Sequence, residues 1–134
     1  MESISWFVPI LPGKLDAWKA FTEESNARMD EHIESRRRAG ITRELAALVQ
    51  TPQGDFTSVF LEGEDIGRAF KTMLESEAPY DKWFIAKTEE VHGMSRETYE
   101  QPLPVKVMFD YNAEGEAARP AARQRQATAS SDTE

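Results

Sequence analysis

His32 is the residue of this chain best suited to moving a proton. Imidazole titrates near neutral pH without special help, and Arg28 and Arg36 stand one helical turn away on either side. Nearby positive charge favours the neutral ring, which is the form a general base needs near pH 7. The competing reading is a partly exposed helix histidine with no chemical role. Tyr80 and Asp81 sit at a proline-marked break between helices and offer a proton donor and an acceptor. Asp81 equally suits a helix N-cap. Glu89-x-x-His92 has the spacing of half a di-iron carboxylate motif, but it has no second copy, and no metal site is expected.

Around these residues the chain is rich in aromatic side chains. Trp6, Trp18, Phe21, Phe70 and Trp83 are among them. Core packing is the ordinary role of such residues. Thr22 and Ser25 interrupt an apolar helix stripe between Trp18 and Met29, and this dip leaves room for a ligand or marks a polar helix rim. His32, Tyr80 and Asp81 are the expected catalytic set.

Composition removes several classes of function. The 134 residues carry a net charge of −8 and no cysteine. A strongly acidic chain does not neutralise phosphates, so nucleic acid is not an expected partner. Without thiols, disulfide and zinc–cysteine chemistry are absent. No glycine-rich phosphate loop or nucleophile elbow occurs, so no nucleotide cofactor is expected. No run of eighteen apolar residues exists, and the first residues lack a basic stretch. A cytoplasmic protein that crosses no membrane is the expectation.

The elements that must position these side chains follow from periodicity. Ser3 to Leu11 alternates like a strand, with Pro9 favouring an edge. Pro12-Gly13-Lys14 turns the chain into one long helix ending near Gly40. Its stripe is Leu15, Trp18, Thr22, Ser25, Met29, Ile33 and Arg36, with Phe21 and His32 on the flank. Arg36, Arg37 and Arg38 read as the basic end of that helix. Ile41–Gln50 and Phe56–Glu62 form a hairpin around Thr51-Pro52-Gln53-Gly54-Asp55. A helix capped by Asp65 follows, then a break at 76–80, a second helix to Val91 and a polar connector over 95–104. Val105–Tyr111 alternates as a last strand. Residues 113–134 hold no large apolar side chain and are expected to be disordered.

The order β-α-β-β-α-β is the ferredoxin-like arrangement, an α+β fold with a four-stranded antiparallel sheet over residues 1–112. Three of its strands are apolar on both faces while helices cover one, so a homodimer packing sheet on sheet is expected. The strand leading into Pro12-Gly13-Lys14, the helix with Trp18 and Phe21, the Pro52–Gly54 hairpin and the 76–81 break resemble the dimeric α+β barrel superfamily. That superfamily includes antibiotic-biosynthesis monooxygenase-like proteins, stress-responsive barrel proteins and polyketide cyclases. The resemblance implies a homodimer with a cavity between sheet and helices in each protomer, and Trp6, Trp18, Phe21, Thr22, Met29, Phe70 and Trp83 are the ligand-binding set expected to line it. It also implies either a cofactor-independent cyclase or monooxygenase acting on an apolar, aromatic or polyketide-type compound, or a non-catalytic binding protein of the same shape. The sequence departs from the monooxygenases, because Asn26 lies on the helix and Trp6 stands on the first strand. It departs from the cyclases too, because the helix break offers Tyr80 and Asp81 and no histidine.

Overall fold

A computed structural model describes residues 1–113. The tail expected to be disordered lies outside the described residues, apart from its first residue. The described chain is α+β: β1 (Glu2–Pro9), α1 (Leu15–Ala27), α2 (Met29–Ala39), β2 (Ile41–Thr51), β3 (Gly54–Gly63), α3 (Ile66–Glu75), α4 (Pro79–His92) and α5 (Arg96–Glu100). Among the described residues the sheet has three strands in the order β1-β3-β2, all antiparallel. Pro9 ends an edge strand, where its missing N–H costs no ladder bond.

Period-two alternation sorts the sheet into two unlike faces. Three cross-strand rows point at the helices: Ile4–Leu61–Glu44, Trp6–Val59–Ala46 and Val8–Thr57–Leu48. The other face carries Phe7, Phe56, Phe60 and Leu45 and meets no helix among the described residues; Phe7 is 61% exposed. On the helical side, Ile41, Leu61, Ile66, Ala69 and Met73 form one core cluster. Ile10, Trp18, Phe21 and Val91 form a second. Apolar side chains divided between two clusters leave a space between them.

The expected single helix over 15–39 is two helices that meet at Arg28, whose φ of −111° and ψ of 40° are not helical. The cause is local. Thr22 Oγ1 donates to the Lys19 carbonyl, Ser25 Oγ to the Phe21 carbonyl and Asn26 Nδ2 to the Thr22 carbonyl. Side chains that bond back to their own helix bend it. Beyond the break the buried face is Ser35, Arg36 and Ala39, so Met29 and Ile33, read as part of one stripe, stand exposed. Gly40 closes α2 in the left-handed region at φ 77°, as expected of a terminal glycine. Gly63 packs against it so closely that a Cβ there would lie 2.7 Å from the Gly40 carbonyl oxygen.

The hairpin and the Asp65 cap, whose side chain accepts from the Arg68 N–H, match the sequence reading. Asp81 does not cap α4. Ala78 takes that position, Pro79 opens the helix and Asp81 lies in the first turn. The connector after Gly93 contains the short helix α5, capped by Ser95. It buries Tyr99, whose hydroxyl lies 2.6 Å from Thr88 Oγ1. Val105–Tyr111, read as a fourth strand, joins no ladder in the single chain, and Met108, Phe109 and Tyr111 are exposed.

Candidate functional site

A cleft of about 1110 Å³ runs between the sheet and the helices. Trp6, Val8, Ala46, Thr57 and Val59 floor it, and Trp18, Phe21 and Phe84 wall it from the helical side. Thr22, Met29 and Phe70, expected to bind ligand, also line it. Trp83 does not; it packs edge-on against Phe21 at 5.6 Å, behind the wall.

His32 is where polar groups converge. Its Nδ1 lies 2.6 Å from the Tyr80 hydroxyl and its Nε2 lies 2.7 Å from Glu44 Oε1. Glu44 also accepts from Arg36, through Nε to Oε1 at 2.8 Å and Nη2 to Oε2 at 3.2 Å. The Arg36 guanidinium, largely buried, rests on the Phe84 ring at 4.4 Å and donates to Ser35 Oγ. An ionised carboxylate only accepts, so Nε2 of neutral His32 carries the proton toward Glu44. Nδ1 then has a lone pair for the Tyr80 O–H.

The electrostatics keep Glu44 ionised. Burial pushes its carboxyl up, but the His32 hydrogen bond and the Arg36 charge outweigh it and hold the carboxyl at about 2. Burial raises the Tyr80 hydroxyl above its ordinary value, against the opposing pull of Ser25, Arg36 and Arg28. Arg28 lies over both the Tyr80 and Trp83 rings, at 4.9 and 4.7 Å, and pairs with Glu31 at 2.7 Å. It therefore clamps the aromatic ring of the network from outside.

The structure brings His32 and Tyr80 together and places Asp81 elsewhere. Tyr80 is only 2% exposed, so its hydroxyl reaches the cleft through His32. Asp81 is buried beside it in sequence but does not line the cleft; it bonds Arg38 Nη2 at 3.0 Å, tying α4 to α2. Glu44 was missed in the sequence, although a signal was present: it is the one acid in the inward series with Ala46 and Leu48 on an otherwise apolar strand. Arg36 was read as a helix end and proves to anchor Glu44.

At the other end of α4, His92 Nδ1 lies 3.0 Å from the Pro9 carbonyl oxygen. Desolvation lowers its titration below the ordinary range, partly opposed by that carbonyl. No group of three or more metal-ligating side chains gathers around Glu89 and His92, or anywhere else among the described residues.

The arrangement can accept a proton at one pole of an aromatic-lined space and hold the resulting imidazolium against a fixed carboxylate. No curated protein and no solved structure matches the chain. A family model does match, over residues 1–114, and its description is a family of unknown function. The chain thus belongs to the family DUF6176.

Proposed function

We propose that this protein is a cofactor-independent acid–base catalyst, cyclase- or monooxygenase-like, acting on an apolar aromatic or polyketide-type compound held in the cleft. The observation that carries the reading is the His32 ring fixed between the Tyr80 hydroxyl and the Glu44 carboxylate at the wall of that cleft. In the proposed step the ligand displaces the Tyr80 O–H from Nδ1. His32 takes a proton from a carbon or hydroxyl of the ligand, and Tyr80 turns its O–H to the ligand's oxygen. Glu44 stabilises the imidazolium, and Arg36 holds Glu44 in place. General-base steps of this kind contribute about 10²–10⁴-fold in rate.

The working unit in this reading is a homodimer in which the open sheet face, with Phe7 and Leu45, is covered by a second copy. The order β1-β3-β2 leaves the β1 edge unpaired, which is where a ferredoxin-like fold takes its fourth strand. Val105–Tyr111, with its alternating apolar residues, is the segment to fill it.

Exchange of ligand protons tests the chemistry without knowledge of the natural substrate. In D₂O, the protein is expected to accelerate loss of the α-proton NMR signal of an aryl methyl ketone. His32→Ala is expected to abolish that acceleration with the fold intact. No acceleration by the wild type, or an unchanged rate in the variant, overturns the reading. One observation favours a second function, a non-catalytic small-molecule-binding protein: both ring nitrogens of His32 are already bonded and Tyr80 is shut away from solvent. In that case ketones or phenols bind and exchange is not accelerated.

A further inference from the structure

One buried polar side chain on the cleft floor has no partner. Thr57 is 4% exposed, and its Oγ1 makes no hydrogen bond among the described residues. It stands in the inward row Val8–Thr57–Leu48, and it lines the cleft. A buried hydroxyl left unbonded is costly enough that native structures rarely keep one.

A second polar group, His92, lines the same cleft. Thr57 pairs with Val8 across β3 and β1, and the next residue, Pro9, supplies the carbonyl that faces His92 Nδ1. A carbonyl only accepts, so Nδ1 bears the proton and Nε2 of neutral His92 has a lone pair. The ring's hydrogen bond to the protein is thus at Nδ1. Thr57 thus offers a donor and His92 an acceptor, which is the pair that a hydroxyl group satisfies at once.

We infer that the cleft has a second polar pole, where Thr57 Oγ1 and His92 Nε2 bind a hydroxyl of the ligand. The ligand hydroxyl donates to Nε2 and accepts from the Thr57 O–H. Glu44, which bonds His32, pairs with Leu61, and Leu48 pairs with Thr57, so the two poles lie four residues apart along β2. At about 3.3 Å per residue that separation is about 13 Å. Between them lies the apolar row Trp6–Val59–Ala46, faced by Phe21 and Phe84. The ligand class is therefore an elongated, flat, apolar molecule of at least two rings with a hydroxyl at the end away from His32. This deepens the proposed function, since it specifies the substrate class of the same cleft.

The test compares 4-hydroxybiphenyl with 4-methylbiphenyl, which have the same shape and differ in the hydroxyl. Binding is read on the full chain by quenching of tryptophan fluorescence. The wild type is expected to bind the hydroxyl compound about tenfold or more tightly. Thr57→Val, nearly isosteric, is expected to erase that preference while still binding 4-methylbiphenyl as the wild type does. His92→Gln provides a second variant if Thr57→Val fails to fold, and it too is expected to narrow the preference. Equal affinity of the two compounds for the wild type overturns the second pole, as does binding of neither, or an unchanged preference in both variants. Failure of the proposed catalysis is separate: it shows as no proton exchange at His32, with the hydroxyl preference still present.

Discussion

The His32 imidazole and the Glu44 carboxylate meet at 2.7 Å across the turn at Gly40. His32 lies near the start of α2 and Glu44 near the start of β2. Gly40 in the left-handed region joins the two with no intervening loop. The contact thereby spans a one-residue helix-to-strand connection, and Arg36, on the same helix, completes it from the second carboxylate oxygen.

Glu44 makes that contact a measurable part of stability. Its carboxyl titrates at about 2 in the folded protein, against 4.5 ordinarily. A depressed carboxylate contributes stability that is present above the unfolded value and is lost as pH falls through the folded one. At about 1.4 kcal/mol per pK unit the contribution is about 3 kcal/mol. Urea unfolding of the wild type is therefore expected to show a steep loss between about pH 4.5 and pH 2. Glu44→Gln should be less stable at pH 7 by a similar amount and should lack that component of the loss. Parallel pH profiles for the two proteins would refute this.

His92 acts in a different window. Burial depresses its titration below the ordinary 6.5. Between the unfolded and folded values the unfolded chain binds the extra proton, so stability declines as pH falls below about 6.5. His92→Gln keeps a side-chain N–H for the Pro9 carbonyl and removes the titration. It is expected to flatten the decline just below pH 6.5 and to leave the more acidic Glu44 component in place. The measurement is the same set of urea midpoints, taken at closer pH intervals.

Asp81 tests whether a buried carboxylate near the candidate base takes part in chemistry or only in folding. Burial pushes its carboxyl up, but the Ser35 and Ser76 hydroxyls and the Arg38 guanidinium bring it below the usual carboxylate range. Its partners lie on α2 and at the α3–α4 break, and Asp81 itself does not line the cleft. Asp81→Asn is expected to cost about 1–3 kcal/mol, the scale for leaving a buried polar partner unsatisfied. Any proton exchange catalysed by the wild type is expected to persist in the folded fraction. Loss of exchange with unchanged stability would return Asp81 to the catalytic set.

These results show which parts of the site were legible in the sequence. His32 stood out as an imidazole on the flank of an apolar stripe, and Tyr80 as a phenol at a proline-marked break between helices. The Trp6, Trp18 and Phe21 positions followed from simple periodicity. The α1–α2 break did not, because three side chains bonding to their own helix, Thr22, Ser25 and Asn26, outweighed an unbroken helical pattern. Glu44 and Thr57 were hidden for another reason. A strand's polar residue acquires meaning only from the register that sets what lies opposite, and register depends on pairing between distant segments. Tyr99 was passed over because a five-residue helix carries too few turns to show a period.

The open face of the sheet leads to the last prediction. Phe7 and Phe56 stack with ring centroids 5.9 Å apart, and Phe60 and Leu45 extend the surface across the central strand to β2. Contiguous apolar patches on monomers are usually small, and larger ones mark an interface. Two such sheets packed face to face lie about 10 Å apart, and a stable interface buries on the order of 800 Å² per partner. In the proposed homodimer the 15.2 kDa chain sediments at twice that mass at micromolar concentration. Leu45→Lys places a charge beside Phe60 of its own sheet, within the covered surface, where desolvation penalises it by several kcal/mol. In a single chain the same side chain is already 45% exposed, so folding itself is expected to change little. Sedimentation equilibrium separates the two effects, with the variant expected as a folded monomer. A wild type that is monomeric at these concentrations, or a variant that unfolds without passing through a folded monomer, contradicts the assignment of this face to a second copy.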